Sequence, residues 1–286
     1  MFDDAAERVP GNAADSAHDS KDATAAAVGD DAKDAATAQA LKVLFEGCDA
    51  IADSVLDGYY SIRDMQAFEK WIADRKSTLC NPALAQNTPK QKFLVLDLDN
   101  TLICRNTKSP DSFWVDGTYP ARYRIQVHPD CLTFLHEMRA QSRLVAIFTS
   151  SSAVYAKNVV AEIERRYQEA FPGSTLGPFL TTMSSDDCTD FRGERRKDLL
   201  KFGPLSHVVY VDDDPYYSMK DQNHIVIQVR RYNGSKSEQP GLMAIVPLLT
   251  YLSSITNVSE TARNLKKVWH KAGLVKVVPS TVGISC

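Results

Sequence analysis

The chain has 286 residues, of which 44% are hydrophobic and 24% are charged, and its net charge is −3. This composition excludes a membrane-embedded, a collagen-like and a wholly disordered protein. It also argues against direct nucleic-acid binding, which usually needs a strongly basic balance. The charge is unevenly spread, because the first forty residues carry nine acids and three bases, a net −6, while the remainder sums to +3.

The first segment differs from the rest in composition. Residues 1–38 are rich in Ala, Asp, Gly and Ser and have almost no large apolar side chains. Such a segment cannot bury enough surface to offset its chain entropy, so we predict a disordered acidic tail. It lacks a basic-then-apolar leader, and no stretch reaches the ~18 apolar residues that span a bilayer. We therefore expect an intracellular protein, nuclear or cytoplasmic, without a membrane span.

Residues 39–89 are predicted to form a helical hairpin and a linker. Apolar residues recur at helical spacing in two runs. Ser61 is the candidate N-cap of the second helix, whose apolar face carries Phe68 and Trp71. This hairpin could pack on the domain that follows or bind a protein partner, so a partner site within residues 1–80 is left open.

Residues 90–256 alternate between short apolar runs and helical patterns. Such alternation predicts an α/β fold, a doubly wound parallel sheet with helices on both faces. Two aromatic-rich runs add a short β insert, and residues 257–286 are predicted to be a C-terminal helix and tail, in which 275–278 could add an edge strand or bind a partner. The predicted strands are 93–96, 113–115, 123–127, 144–148, 207–211 and 225–229, and the predicted helices are 129–141, 153–167, 241–254 and 259–271.

Acidic residues follow two of the predicted strands. Asp97 and Asp99 come directly after one, and Asp212 and Asp213 follow another. In a doubly wound sheet ligands bind at the carboxyl ends of the strands. For one acidic pair a solvated turn is a sufficient explanation. Two acidic strand ends in one sheet instead predict an all-oxygen site suited to Mg²⁺.

Two further sequence features suit a phosphate group. Thr149 and Ser150 follow a predicted strand and lead into a helix, so their hydroxyls and backbone N–H groups form a natural anion seat. Lys197 lies upstream of the second acidic strand end and could neutralise a phosphate oxygen.

The motif Asp97-x-Asp99-x-Thr101 after an apolar strand resembles motif one of the haloacid dehalogenase (HAD) superfamily. Within it, the chain resembles the small C-terminal-domain phosphatase branch, protein serine phosphatases related to those acting on the RNA polymerase II tail. The closer resemblance is carried by four stretches: Val127–Pro129, Phe148–Ser151, Lys197–Leu199 and Val211–Pro215.

The resemblance implies a HAD-like fold, a Mg²⁺ cofactor and a phosphorylated protein or peptide as substrate. Asp97 would be the nucleophile that forms an aspartyl-phosphate. Asp99 would protonate the leaving serine or threonine oxygen and then activate water. The metal would be held by Asp97, the Asp99 backbone carbonyl and Asp213, with Asp212 close by.

The remaining motif residues receive supporting roles from the same resemblance. Thr149 and Lys197 would bind phosphate oxygens, with Ser150 beside them, and Thr101 would steady the loop rather than react. The chain departs from the branch at Asp213, where Asn is more usual, although aspartate also ligates Mg²⁺.

A protein substrate is favoured because the gap between Thr101 and Thr149 is too short for a large cap domain. An uncapped site is open to a flexible peptide, and four aromatic residues of the insert could form a docking wall or could simply pack the insert on the core. These residues are Phe113, Trp114, Tyr119 and Tyr123.

Two alternatives remain open. The first is a catalytically weak binding protein of the same fold, like the import-receptor subunit of the mitochondrial inner-membrane translocase, which the complete Asp97/Asp99 pair disfavours. The second is a small-molecule phosphatase, which the missing cap disfavours.

Overall fold

The computed structural model describes residues 35, 37–46, 48, 51–52, 58–85, 92–141, 143–175, 177–234 and 241–278. The predicted acidic tail therefore lies almost entirely outside the described residues. Within the described ranges, no helix is both long and apolar enough to cross a membrane.

A sheet of five parallel strands forms the centre of the fold and confirms the predicted fold class. The strands are Phe93–Leu96 (β2), Leu144–Phe148 (β6), Thr181–Met183 (β7), Val208–Asp212 (β10) and Val226–Gln228 (β11). Their spatial order is β11-β10-β2-β6-β7, so the chain winds outward from β2 in both directions.

Alternation along these strands places side chains in two apolar cores, one on each face of the sheet. Leu94 and Leu96 join the larger core, whereas Val95 between them joins the smaller one. The β10 strand divides in the same way, with Val209 in the larger core and Tyr210 in the smaller. Burial on both faces explains why these strands are continuous apolar runs rather than alternating ones.

Helices cover both faces of the sheet. The sequence prediction placed most of them within a few residues of their observed ends. They are residues 37–44 (α1), Met65–Asp74 (α2), Lys76–Leu79 (α3), Cys131–Ala140 (α4), Ala153–Ala170 (α5), Val246–Ser254 (α6) and Val258–Lys271 (α7).

The predicted insert is an antiparallel sheet of three strands in the order β3-β5-β4. The sequence indicated β4 (Phe113–Asp116) and β5 (Arg122–Val127) but not β3 (Ile103–Arg105). The missed strand has only three residues and gives no periodic signal of its own. It pairs directly with β5, which ties the insert to the loop that carries Asp99.

Two other elements escaped the sequence prediction. The edge strand β7 has the sequence Thr-Thr-Met, which is too short and too polar to be predicted as a buried strand. A hairpin of β8 (Thr189–Phe191) and β9 (Glu194–Arg196) leads directly into Lys197. Arg192 and Gly193 both have positive φ, 56° and 81°, at its two-residue turn, a geometry that glycine adopts without strain.

The prediction for residues 39–89 needs correction. Residues Tyr59–Ile62 form a strand, β1, and do not belong to a helical hairpin. Ser61 lies inside this strand, so it caps nothing, and Asp64 caps α2 by accepting a hydrogen bond from the backbone of Ala67 at 3.1 Å. The partner of β1 is Val275–Val278, β12, in an antiparallel pair. The predicted edge strand at 275–278 therefore exists, in a separate two-stranded sheet.

The segments around this pair form a terminal annex, defined here as β1, α2, α7 and β12. Phe68 and Trp71 of α2 meet Trp269 of α7 edge-on, with ring centroids 4.9 and 5.7 Å apart. Both α2 rings are therefore packed against α7 within the annex, and the predicted choice between packing on the domain and binding a partner stays open. The predicted domain limits at residues 38, 89 and 256 stay predictions.

Candidate phosphoryl-transfer site

Three strand ends meet at one edge of the central sheet. Strand β2 lies between β10 and β6, and all three run parallel. Asp97 and Asp99 follow β2, Asp212 ends β10, and Thr149 follows β6. The parallel arrangement thus brings together residues that are more than fifty positions apart in the chain.

Asp97, Asp212 and Asp213 form a carboxylate cluster. One carboxylate oxygen from each of them lies within 4.8 Å of the other two. Lys197 lies against this cluster, with its Nζ 2.6 Å from Asp97 Oδ1 and 3.0 Å from Asp212 Oδ2. The same Nζ donates to the hydroxyl of Tyr210, which in turn donates to Asp212.

Two cations face three buried carboxylates: Lys197 contacts Asp97 and Asp212, and the exposed Arg231 has its Nε 3.7 Å from Asp213 Oδ2. Negative charge is still in excess, and the pKa shifts reflect this imbalance. Burial raises the pKa of Asp97 well above its usual value, with Lys197 opposing the shift and Asp212 adding to it. Burial and the charge of Asp212 raise the pKa of Asp213 to about 7. Buried carboxylates with excess negative charge are suited to a hard divalent cation with oxygen ligands. The donor set therefore fits Mg²⁺.

Asp99 lies outside this cluster and has a different set of partners. Its Oδ1 accepts a hydrogen bond from Tyr155 and its Oδ2 one from Ser151, both at 2.7 Å. Arg105 Nε lies 2.9 Å from the same Oδ1. The Asp99 carboxylate is thus not part of the cluster of Asp97, Asp212 and Asp213. If Asp99 ligates the metal as predicted, the ligand is its backbone carbonyl.

The two predicted hydroxyl residues differ in their surroundings. Thr149 is buried, its N–H donates to Met183 in the sheet at 3.0 Å, and its Oγ1 accepts from the Ser151 N–H at 3.1 Å. Ser150 is exposed and lines a cavity of about 360 Å³ together with Arg195 and Tyr217. Thr149 therefore supplies a buried hydroxyl group near the carboxylate cluster, whereas Ser150 supplies an exposed hydroxyl group in the adjoining cavity.

Thr101 joins the loops after β2 and β10. Its Oγ1 accepts the N–H of Asp213 at 3.0 Å and lies 3.4 Å from that residue's carboxylate. This contact fixes the backbone that carries the Asp213 side chain, and Thr101 as a whole is only 1% exposed. Its geometry is that of a loop-steadying residue.

The four aromatic residues of the insert divide into two pairs. Phe113 and Tyr123 are partly buried against the larger core, and Tyr123 meets Tyr155 edge-on at 5.1 Å. Trp114 and Tyr119 are 57% and 95% exposed. The second pair is therefore the more accessible of the two, although the Arg122 guanidinium lies 5.4 Å from the Trp114 ring centre.

Three residues of the site receive no functional role from the sequence: Tyr210, Tyr155 and Arg105. The sequence predicts Tyr210 only as part of an apolar strand. Because Tyr210 comes two residues before Asp212 in β10, the two side chains lie on the same face of the strand. Tyr155 belongs to the stretch that resembles the second motif of the branch, but the resemblance gives it no role. Arg105 is the last residue of β3, a strand that the sequence pattern does not predict.

Together these residues define a class of site: a buried carboxylate cluster at the carboxyl ends of parallel strands, a lysine in contact with it, and a separate carboxyl group, that of Asp99, two residues beyond Asp97. The family model described as NLI interacting factor-like phosphatase matches residues 92–259. The chain therefore belongs to this family of HAD-type phosphatases, and the resemblance to the C-terminal-domain phosphatase branch is confirmed.

Three solved structures are similar to this chain at low sequence identity. A variant of the fission yeast RNA polymerase II CTD phosphatase Fcp1 bound to beryllium fluoride is 19% identical over 74% of this chain and 62% of its own, with a TM-score of 0.38. A second structure of Fcp1 is 21% identical over 74% and 59%, also with a TM-score of 0.38. An uncharacterised protein from Listeria monocytogenes is 16% identical over 57% and 99%, with a TM-score of 0.35.

The chain thus spans about three fifths of the length of the two Fcp1 chains. A search of curated protein sequences gives no significant match.

Proposed function

We propose that this phosphatase is a Mg²⁺-dependent protein serine/threonine phosphatase that acts through an aspartyl-phosphate on Asp97. The observation that carries the proposal is the separation of the two aspartates. Asp97 lies in a buried cluster with Lys197 and two further carboxylates, and Asp99 is held by other partners. Two carboxyl groups in different environments are suited to two different roles.

In the first step, an Asp97 oxygen attacks phosphorus and the bond to the serine or threonine oxygen breaks. Asp99 donates a proton to that oxygen, which leaves as the alcohol. Lys197 and the Thr149 hydroxyl bind the phosphoryl oxygens and stabilise their charge in the transition state. In the second step, water attacks the aspartyl-phosphate, Asp99 accepts its proton, and phosphate is released with Asp97 regenerated.

Asp97, Asp213 and the backbone carbonyl of Asp99 would hold Mg²⁺, with Asp212 beside them. When bound, the cation would offset carboxylate charge that otherwise repels a phosphate dianion. Without a cation, the excess negative charge of the cluster opposes the approach of the substrate.

A peptide substrate is supported by the course of the chain around the site. Between Thr101 and Thr149 the described residues form only the three-stranded insert, α4 and β6. Trp114 and Tyr119 stand exposed on that insert. Exposed aromatic rings beside an open site supply contact area for an extended segment of protein.

The test compares wild type with Asp97→Asn and Asp99→Asn on a phosphoserine peptide and on 4-nitrophenyl phosphate, with Mg²⁺ and with a chelator. We expect Asp97→Asn to lose at least about 10⁴-fold in kcat and Asp99→Asn about 10²- to 10⁴-fold. The Asp99 loss should be smaller on the aryl phosphate, whose leaving group needs less protonation.

Asp74→Asn is the matched control, since Asp74 is exposed on α2, where it pairs with Lys70. Equal turnover by wild type and Asp97→Asn would contradict the nucleophile assignment. A strong preference for sugar phosphates over phosphopeptides would favour a small-molecule phosphatase. Stoichiometric binding of a phosphopeptide without turnover would favour the receptor alternative.

A further inference from the structure

Three residues around Asp99 form a group that we call the Asp99 clamp: Arg105, Ser151 and Tyr155. Two of them donate hydrogen bonds to the Asp99 carboxylate at 2.7 Å, and Arg105 forms the ion pair at 2.9 Å. Burial raises the pKa of Tyr155 and the charge of Asp99 adds to the shift, so its hydroxyl remains a donor. The clamp therefore fixes the direction of the Asp99 side chain before any substrate arrives.

Arg105 differs from the other two clamp residues because it keeps unused hydrogen-bond donors. Its guanidinium carbon lies 5.3 Å from the ring centre of Tyr155 and 5.7 Å from that of Tyr123. Among the described residues, neither of its Nη groups has a hydrogen-bond acceptor, and its side chain is 39% exposed. A guanidinium held by two rings with free Nη groups presents a planar fork suited to a carboxylate or a phosphate.

Other arginines of the insert are already engaged. Arg122 pairs with Asp116 at 3.3 Å, and Arg124 donates to Ser112 at 2.6 Å. Apart from Asp99, no described carboxylate lies within 4.0 Å of the Arg105 guanidinium. An anion from outside would thus compete with Asp99 alone for this cation.

We propose that Arg105 binds an anionic side chain of the substrate, acidic or phosphorylated, beside the residue being dephosphorylated, and so positions Asp99. The inference rests on the proposed function, in which Asp99 lies next to the leaving oxygen. An anion bound to the Nη groups immobilises the guanidinium while its Nε stays against Asp99, so the carboxylate is held by Arg105 together with Ser151 and Tyr155. Peptides with anionic neighbours therefore gain in both binding and proton transfer.

The experiment uses three phosphoserine peptides that differ only in the residues flanking the phosphoserine. The flanking residues are asparagine in the first peptide, aspartate in the second, and a non-hydrolysable phosphonate analogue of phosphoserine in the third. Wild type should show a kcat/KM about tenfold or more higher for the anionic peptides, the size of one added charge-assisted hydrogen bond. The aspartate and phosphonate arms distinguish an acidic from a phosphorylated neighbour.

Arg105→Gln should reduce this preference to within about twofold, and Arg105→Lys should restore part of it, because lysine keeps the charge but loses the fork. A merely structural role would lower turnover of all three peptides equally. The positioning part of the proposal predicts that anionic flanks raise kcat and lower KM in wild type. Arg165→Gln is the matched control, since Arg165 is an exposed arginine of α5 paired with Glu162, and it should keep the preference.

The outcomes separate the two proposals. Turnover of all three peptides without preference, or a preference that survives in Arg105→Gln, overturns the inference and leaves the proposed function standing. Hydrolysis of 4-nitrophenyl phosphate but of none of the phosphopeptides overturns the proposed function, and the inference falls with it.

Discussion

The fold buries a lysine in each of two regions, with opposite electrostatic results. At the strand ends, burial alone would lower the pKa of Lys197, but the charges of Asp212 and Asp97 outweigh it and raise the pKa. In the terminal annex, Lys266 has only a backbone carbonyl and two rings as partners, and burial lowers its pKa to about 7.

Lys266 Nζ donates to the carbonyl of Val226 at 2.7 Å and lies 5.5 and 5.2 Å from the ring centres of Tyr60 and Trp269. Burial, and then the charges of Arg263 and Lys266, lower the pKa of the neighbouring His224, and no carboxylate among the described residues forms an ion pair with Lys266. Carboxylates thus keep one buried lysine charged where charge is useful, whereas the other is tolerated as a structural hydrogen-bond donor. Substitutions of lysine test this contrast.

Lys197→Met should have the largest effect, because it leaves Asp97 and Asp212 without their buried cation. Removing one partner of a buried ion pair costs about 3 to 5 kcal/mol of unfolding free energy, measurable by urea denaturation without metal. The double variant Lys197→Met/Asp97→Asn should recover part of that loss. A single variant as stable as wild type would show that the cluster is not held by Lys197.

Lys266→Met should act in the opposite direction and stabilise the protein by about 1 to 3 kcal/mol at pH 7, after allowance for the lost hydrogen bond. Between about pH 7 and 10 the unfolded lysine binds more protons than the folded one, so wild-type stability gains from this group as the pH rises. The advantage of the variant should therefore shrink from pH 7 to pH 10. An advantage that is constant over this range would contradict a depressed pKa of Lys266.

Mg²⁺ should stabilise wild type through the strand-end region alone. At ten times its Kd the gain is about 1.4 kcal/mol, read as a rise in Tm. Asp213→Ala should lose this gain, whereas Lys266→Met in the annex should retain it. Equal Mg²⁺-induced shifts in wild type and Asp213→Ala would place the cation elsewhere.

Lys70→Met should have the smallest effect and sets the scale for the other two lysines. Its ion pair with Asp74 on α2 is 2.9 Å long, but the two side chains are 72% and 53% exposed. Exposed pairs of this kind contribute at most about 0.5 kcal/mol, and salt weakens them further. A loss above 1 kcal/mol would mean that α2 depends on its surface charges.

The strand-end region was largely predictable from the sequence, and the annex was not. Asp97 and Asp213 each follow an apolar run, and parallel pairing alone brings such ends together. Lys197 lies outside the strands, so its position upstream of the second acidic run and the motif resemblance indicate a phosphate-binding role but not its contacts with Asp97 and Asp212. No local pattern could pair Tyr59–Ile62 with Val275–Val278, because the two segments come from opposite ends of the described chain. Arg105 was missed because its role depends on rings supplied by β5 and α5.

The β1–β12 pair also bears on how the protein is made. The segment Tyr59–Ile62 leaves the ribosome before any catalytic strand, and its partner Val275–Val278 leaves after all of them. The five-stranded sheet can be complete once Val226–Gln228 has emerged, while β1 must wait beside it unpaired. Closure of the annex therefore comes after completion of the five-stranded sheet in co-translational folding, and a chain stalled before Val275–Val278 would expose an unpaired strand edge.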